Sequence, residues 1–293
     1  MKKILVLGGT RFFGKKVVEI LLQNGHEVTV ATRGNTALPF KEKVTHIVLD
    51  VQDKNHKGWS EVINKKWDAV FDNVCYTKED AEILIDKFEH VTEHLYFTSS
   101  MAVYSGLKDG YVETDFDPIN YEINPSVPVT YGEGKRQAEQ VLFNKAPFSV
   151  TAFRFPIVLD TDDYTKRLHF YVEKVLKGER IYFERPDVLV NYIKGSTAAA
   201  SIVWAIENEK EGIYNVSSRD AVDIYTFVSW LEEELEQKIH VGYTGTKEAN
   251  SPFSVSHNQY LNSQKIIEDG FIVSDLDEWL RPLIKQIGIE MEN

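Results

Sequence analysis

The sequence predicts an α/β protein: a doubly wound parallel sheet with a smaller C-terminal lobe. Three observations predict it. Short apolar runs alternate with stretches of helical periodicity through the first half of the chain, as in successive β-α-β units. The first such pair is joined by the glycine-rich turn Gly8-Gly9-Thr10-Arg11-Phe12-Phe13-Gly14. After Pro156 the regular alternation gives way to a different rhythm, and 293 residues suit one large domain with an added lobe.

Each element has its own warrant. Ile4 to Leu7 is apolar throughout, long enough for a buried strand and too short for a helix. Val17, Val18, Leu21 and Leu22 recur at helical spacing, and Asn24-Gly25 closes that helix. Glu27 to Ala31 reads as a second strand and Val44 to Leu49 as a third, ending in Asp50-Val51. Trp59 to Lys65 reads as a short helix and Asp68 to Asp72 as a fourth strand, followed by Asn73-Val74-Cys75-Tyr76. Thr77 caps a helix over Lys78 to Phe88, and His94 to Ser99 is a fifth strand. Gly106 to Pro128 is a long polar loop of the kind that usually serves function. Tyr131 to Lys145 is helical, and Ser149 to Phe155 is a sixth strand.

Beyond Pro156 the pattern predicts an acidic turn at Asp160-Thr161-Asp162-Asp163, a helix over Arg167 to Lys177 and a strand over Ile181 to Phe183. A helix capped by Ser196 or Thr197 runs to Asn208, and Gly212 to Val216 is a strand. The tail adds a helix over Ile224 to Glu236, a strand over Lys238 to Tyr243, and helices over Ser263 to Asp269 and Ser274 to Ile287.

Bulk properties narrow the function classes. Hydrophobic content of 43% supports a packed core. Against 33 basic residues stand 45 acidic ones, a net charge of −12, which disfavours nucleic acid and anionic membranes as partners. Cys75 is the only cysteine, so no internal disulfide can form and a reducing cytoplasm is the expected compartment. The apolar run after Met1-Lys2-Lys3 is too short for a signal peptide, and no stretch approaches a membrane span.

The first turn carries the ligand chemistry. Backbone N–H groups at a helix N-terminus, backed by the helix dipole, suit a pyrophosphate. Residues 1–160, with 195–220 returning to them, therefore read as a dinucleotide-binding domain, and 161–194 with 221–293 as a substrate lobe. Arg11 stands where the three-glycine fingerprint would place its middle glycine. The second strand ends in Thr32-Arg33, with no carboxylate to hold a ribose 2′-hydroxyl. Two nearby arginines and no acid favour NADP, with NAD as the alternative.

A second constellation bears on catalysis. Tyr131 and Lys135, at i and i+4, share one helix face, and Ser100 ends the fifth strand. Ionising an unperturbed tyrosine near pH 7 costs about 4 kcal/mol. A neighbouring ammonium lowers that cost, while a serine hydroxyl holds the substrate oxygen. The same spacing recurs at Tyr104/Lys108 and Tyr243/Lys247, but only Tyr131/Lys135 opens a long helical pattern after the strand that supplies Ser100. Other candidates have plainer readings. Asp160, Asp162 and Asp163 lack the glycine and glutamate of a calcium loop. The eight histidines show no ligand spacing. Cys75 reads as a packed thiol, and Trp204 and Trp230 as core residues.

These landmarks, together with Ser99-Ser100-Met101-Ala102-Val103-Tyr104, Arg154-Phe155-Pro156 and Tyr214-Asn215-Val216, resemble the extended or atypical short-chain dehydrogenase/reductases, the NAD(P)-dependent epimerase/dehydratase family. The resemblance covers about the whole chain. It implies a Rossmann sheet and an NAD(P)-dependent epimerase or oxidoreductase acting on a hydroxyl or carbonyl of a small molecule such as a nucleotide sugar. Ser100, Tyr131 and Lys135 would be the catalytic trio. Gly8, Thr10, Arg11, Phe12, Phe13, Gly14, Arg33 and Lys135 would contact the cofactor. Asp50 and the backbone of Val51 would hold its adenine, Val74 and Cys75 would line its ribose, and residues after Pro156 would meet the nicotinamide and substrate. Family members often pair through helices corresponding to Lys78 to Phe88 and Tyr131 to Lys145, which implies a homodimer. Met101-Ala102 replaces the Asp-Glu pair of the sugar 4,6-dehydratases, which sets that activity aside. The glycine turn is similar to that of the chloroplast stem-loop-binding branch, which acts on RNA. The second reading is accordingly an RNA-associated or regulatory protein that retains the fold.

Overall fold

A computed structural model describes residues 1–243 and 251–292. Lys247, the partner in one of the three tyrosine–lysine spacings, lies outside the described residues. The chain forms two compact units. One comprises Met1–Ser105, Glu113–Phe155 and Ser196–Asn215; the other comprises Gly106–Val112, Pro156–Gly195 and Val216–Asn293.

The first unit is built on seven parallel strands. They are β1 (Lys3–Leu7), β2 (Glu27–Thr32), β3 (Thr45–Val48), β4 (Ala69–Asp72), β5 (His94–Ser100), β6 (Ser149–Phe155) and, late in the chain, Gly212–Asn215. The last strand flanks β6, and the order then runs β5, β4, β1, β2, β3. β4 is buried at every residue and β1 at all but its first, as expected of parallel strands covered on both faces. The sheet winds outward in both directions from β1, which lies between β2 and β4. Ligands of such sheets bind beyond the carboxyl ends of the strands at that reversal. Leu7 is in register with Ala31 and Asp72, and Asp72 with Phe97, so these ends lie side by side.

The helices of this unit are α1 (Phe12–Gln23), α2 (Trp59–Ile63), α3 (Lys78–Phe88), α4 (Tyr131–Lys145) and one over Gly195–Glu207. α3 starts where its capping chemistry dictates. The Thr77 hydroxyl accepts from Asp80 N, and the Asp80 carboxylate accepts from Thr77 N. α2, α3 and α4 bury Trp59, Val62, Leu84, Phe88, Val141 and Leu142 in one core with Leu5, Val70, Leu95 and Ala152 of the sheet.

The second unit holds three short strand pairs and an aromatic core. Its strands are β7 (Ile157–Leu159), β8 (Ile181–Phe183), β9 (Leu189–Val190) and β10 (Tyr192–Lys194). After β11, the Gly212–Asn215 strand of the first unit, come β12 (Val222–Asp223) and β13 (Val241–Tyr243). β7 pairs with β10, β8 with β13, and β9 with β12. Tyr171, Tyr192 and Phe253 pack with ring centroids 4.7 and 4.5 Å apart, and Tyr171 Oη accepts from Phe253 N at 2.6 Å. Trp230 is buried, whereas Trp204, in the first unit, is half-buried and meets Tyr214 edge-on.

Two segments depart from the sequence reading. The expected strand over Lys238 to Tyr243 is confined to its last three residues. Gly106–Val112, inside the long polar loop, joins the second unit because Tyr111 N donates to Tyr260 O and Asn262 N to Tyr111 O. The acidic turn caps itself: Asp163 accepts from the backbone and hydroxyl of Thr165 at 2.9 and 2.6 Å.

One buried charge pair anchors the first unit. Glu139 on α4 and Arg154 on β6 are both fully buried. Arg154 grips the carboxylate through Nε at 3.0 Å and Nη2 at 2.6 Å. Its remaining donors reach Tyr104 Oη and the carbonyls of Glu113 and Phe116. Removing one member of such a pair strands the other charge away from water. Glu139→Gln should therefore cost about 3–5 kcal/mol of unfolding free energy. Denaturant melts of the two proteins test this, and an unchanged midpoint would refute it.

Candidate functional site

The residues singled out in the sequence gather along the carboxyl edge of the sheet in the first unit. Gly8 to Gly14 follow β1, Arg33 follows β2, Asp50 and Val51 follow β3, Val74 follows β4, and Ser100 ends β5. α4 begins with Tyr131 and carries Lys135 one turn on.

Backbone geometry explains the first turn. Gly8 and Gly9 have φ of 97° and 84°, the left-handed region that glycine enters without penalty. A Cβ on Gly9 would lie 2.8 Å from Val6 Cγ1, and one on Gly14 would lie 2.8 Å from Asn73 Nδ2. Phe12 adopts φ of 50°, a conformation that costs a non-glycine residue about 1–3 kcal/mol and tends to mark functional turns. α1 then opens with no side-chain cap from Arg11 and no acidic residue in its first turn. With no competing carboxylate there, the helix N-terminus and its dipole suit an anion, so this turn fits a dinucleotide pyrophosphate. Thr10 is half-buried within the same turn. Phe13 packs edge-on against Phe155.

Arg11 does not lie back over its own helix. Its Nη2 donates to Thr36 Oγ1 at 3.0 Å, spanning from the β1 turn to the loop after β2. Arg33 is exposed in that loop. Arg11 and Arg33 thus both stand at the loop that follows β2. Asp50 accepts from Gln52 N at 3.2 Å, and Val51 packs against the core beneath.

Lys135 is the tightest part of the site. It is 1% exposed. Its Nζ donates to Cys75 O at 2.6 Å and Thr98 O at 2.7 Å. The ring centroids of Tyr76, Phe97 and Tyr131 lie 4.6, 4.8 and 5.9 Å away. Burial pulls the Lys135 pKa below the usual lysine range, opposed by the negative groups around it. Tyr131 is 56% exposed, whereas Cys75 is buried and its thiol pushed up by desolvation. Ser100 Oγ accepts from Ala102 N at 3.1 Å, which leaves its O–H to donate elsewhere.

Two glycines seat the start of α4. A Cβ on Gly132 would fall 2.4 Å from Ala102 O, and one on Gly134 would fall 2.5 Å from Tyr76 O. The helix backbone therefore rests directly on the segments carrying Ser100 and Cys75. Glycines also occur, in other arrangements, within the rejected tyrosine–lysine spacings, so sequence alone assigned them no weight.

Glu133, Tyr76 and Tyr121 are further members that sequence reasoning missed. Glu133 accepts from Tyr121 Oη at 2.7 Å, Arg136 Nη1 at 2.9 Å and Gln137 Nε2 at 2.9 Å, tying the long loop to α4. The Thr130-x-x-Glu133 pattern is the signal that could have marked Glu133 as a helix-start residue.

The family comparison decides among the scaffolds that share this sheet. Residues 4–217 match the model of the NAD dependent epimerase/dehydratase family. The chain belongs to that family. The chloroplast stem-loop binding protein of 41 kDa b of Arabidopsis thaliana is 23% identical over 237 residues, 75% of this chain and 60% of that protein. A putative UDP-arabinose 4-epimerase 2 of the same plant is 28% identical over 173 residues, 51% of this chain and 40% of that protein. The chain thus spans less than two thirds of these relatives' length. The solved UDP-glucose 4-epimerase of Thermus thermophilus, in complex with NAD, has a TM-score of 0.73 and 19% identity, covering 97% of this chain and 98% of that one. These likenesses confirm the extended short-chain dehydrogenase/reductase fold expected from the sequence. Among the described residues no helix is long and apolar enough to cross a membrane.

The seating of α4 is directly testable. Alanine ordinarily stabilises a helix interior over glycine by about 1 kcal/mol. Gly134→Ala should instead destabilise the protein by about 1–3 kcal/mol, the usual cost of overpacking against rigid backbone. Thermal or denaturant unfolding reads the sign, and stabilisation would show that α4 does not rest on Tyr76 O.

Proposed function

We propose that the protein is a nucleotide-sugar epimerase of the NAD(P)-dependent type, acting through Ser100, Tyr131 and Lys135. Membership of the epimerase/dehydratase family and the UDP-sugar 4-epimerases among its relatives support the reaction class. One observation carries the choice of residues: a buried ammonium, Lys135, sits 5.9 Å from the ring of an accessible tyrosine on the same helix face.

A bound nicotinamide dinucleotide supplies a hydride acceptor and donor. The chain's own groups handle the proton. Tyr131 takes it from a substrate hydroxyl and gives it back, working as a general base and then a general acid. The Lys135 ammonium favours the phenolate that this role requires. Two of its three N–H groups are committed to carbonyls, which leaves one for a cofactor ribose hydroxyl. Ser100 donates to the substrate oxygen and holds it against Tyr131. Were the hydride given back to the opposite face, these groups would serve epimerisation; were it not given back, they would serve oxidation.

For the cofactor we favour NADP, with NAD as the alternative carried by the relatives' solved complexes. Arg11, fixed across to Thr36, and the exposed Arg33 offer donors to a 2′-phosphate, and β2 ends without the acid an NAD ribose would use. An RNA-associated role draws support from similarity to the stem-loop binding protein, but a net charge of −12 argues against it, because phosphate neutralisation needs a basic face.

Two measurements test the reading. Tyr131→Phe should lower epimerisation of a UDP-sugar by about 10²–10⁴-fold, with dinucleotide affinity unchanged by titration calorimetry. Retained turnover would refute the assignment. Arg11→Ala should weaken NADP binding about tenfold or more, the worth of a charged hydrogen bond, while leaving NAD binding nearly constant. Equal losses for both cofactors, or tighter NAD binding by the wild type, would overturn the NADP preference.

A further inference from the structure

Three carboxylates act on the Lys135 ammonium: Asp72 at the end of β4, Asp80 on α3, and Glu139 on α4. Two of them are already spoken for. Glu139 is bound by Arg154 and Ser99. Asp80 accepts from Tyr76 N and Thr77 N on one oxygen and from Gln52 on both. Asp72 differs. It is fully buried, and its Oδ1 accepts from Val74 N at 2.8 Å and Cys75 N at 2.6 Å. Among the described residues its Oδ2 has no hydrogen-bond partner.

Such an atom is costly unless something nearby answers it. The nearest answer is electrostatic. Cys75 N donates to Asp72, and Cys75 O accepts from Lys135, so a single residue of backbone links the carboxyl group to the ammonium. The charge of Lys135 pulls the Asp72 carboxyl down, and that of Asp80 opposes it.

We propose that Asp72 is the positioning residue of Lys135: it holds the Asn73–Cys75 turn so that Cys75 O faces the ammonium, and its negative charge keeps that ammonium protonated beneath Tyr131. This deepens the proposed function and rests on it for its catalytic meaning, since Asp72 touches neither substrate nor cofactor and acts through Lys135. The other titratable neighbours of the ammonium are the phenols of Tyr76 and Tyr131, whose ring centroids lie 4.6 and 5.9 Å away, and the thiol of Cys75, which burial pushes up and holds neutral. Burial also lifts the Asp72 carboxyl from its ordinary 3.8 to about 6, against the pull of the two N–H groups and of Lys135. Its charge is therefore present above about pH 6 and lost below it. Support for the ammonium follows the same direction.

The test observes Lys135 itself and needs no turnover. Lysine labelled with ¹³C at Cε is followed by NMR across pH, the Lys135 resonance being assigned by its loss in Lys135→Met. Asp72→Asn keeps an acceptor for the Val74 and Cys75 N–H groups while removing the charge. It should lower the Lys135 midpoint by about one pH unit, the scale of a close opposite charge. The alkaline limb of the pH–rate profile should fall by the same amount. An unchanged midpoint in a folded Asp72→Asn protein would overturn the proposal. Should that variant not fold, the wild type alone decides. Its Lys135 resonance should step at the pH where the ¹³Cγ signal of Asp72 titrates, near 6, and no step would overturn it. A midpoint shift together with full turnover by Tyr131→Phe would leave this coupling standing and refute the catalytic reading instead.

Discussion

A positive charge removed from water must be answered within a few ångströms, and in this protein that requirement falls on Lys135. Its ammonium is held by carbonyls from two different segments, Cys75 after β4 and Thr98 within β5. Three aromatic rings close over it. Neither strand end can shift without breaking one of these bonds, so the lysine fixes the spacing of β4, β5 and α4 where the site stands. In the proposed mechanism the same burial that makes the charge expensive would make it effective on a neighbouring phenol, because little solvent screens it.

The rest of the first unit serves that geometry. Gly132 and Gly134 bring the backbone of α4 into contact with Ala102 and Tyr76. Asn73 accepts from Thr98 Oγ1 at 2.9 Å while its amide nitrogen faces Gly14 of α1. One side chain thereby connects the glycine turn after β1 with the strand that ends in Ser100. Further down, the Glu139–Arg154 pair locks α4 to β6 and gathers Tyr104, Glu113 and Phe116 around it. Tyr104 Oη in turn donates to Asn215 Oδ1 at 2.6 Å, tying in the last strand of the sheet.

Much of this was legible in the sequence, for identifiable reasons. β6, α3 and α4 have the limits that periodicity and, for α3, the Thr77 cap dictate. The parallel, doubly wound sheet followed from strand–helix alternation and the glycine turn. The small strands β7, β9, β10 and β12 were not legible, since two- and three-residue pairings arise from tertiary contact and leave no period to read. Glu133 and Asp72 escaped notice for a related reason. An acidic residue in sequence looks solvated until the fold buries it, and only the fold shows which neighbours each one meets. The glycines of Tyr-Gly-Glu-Gly-Lys were visible yet uninformative, because their purpose lies in the carbonyls they approach.

The central claim is that a buried ammonium makes Tyr131 an unusually acidic phenol once a dinucleotide is bound. Incorporating 3-fluorotyrosine at position 131 and following its ¹⁹F resonance with pH, in the presence of NADP, measures that acidity without a substrate. The account predicts a midpoint well below that of the same fluorinated residue in a solvent-exposed peptide, returning to or above the peptide value in Lys135→Met. A midpoint equal to the peptide's in the wild-type complex would contradict it.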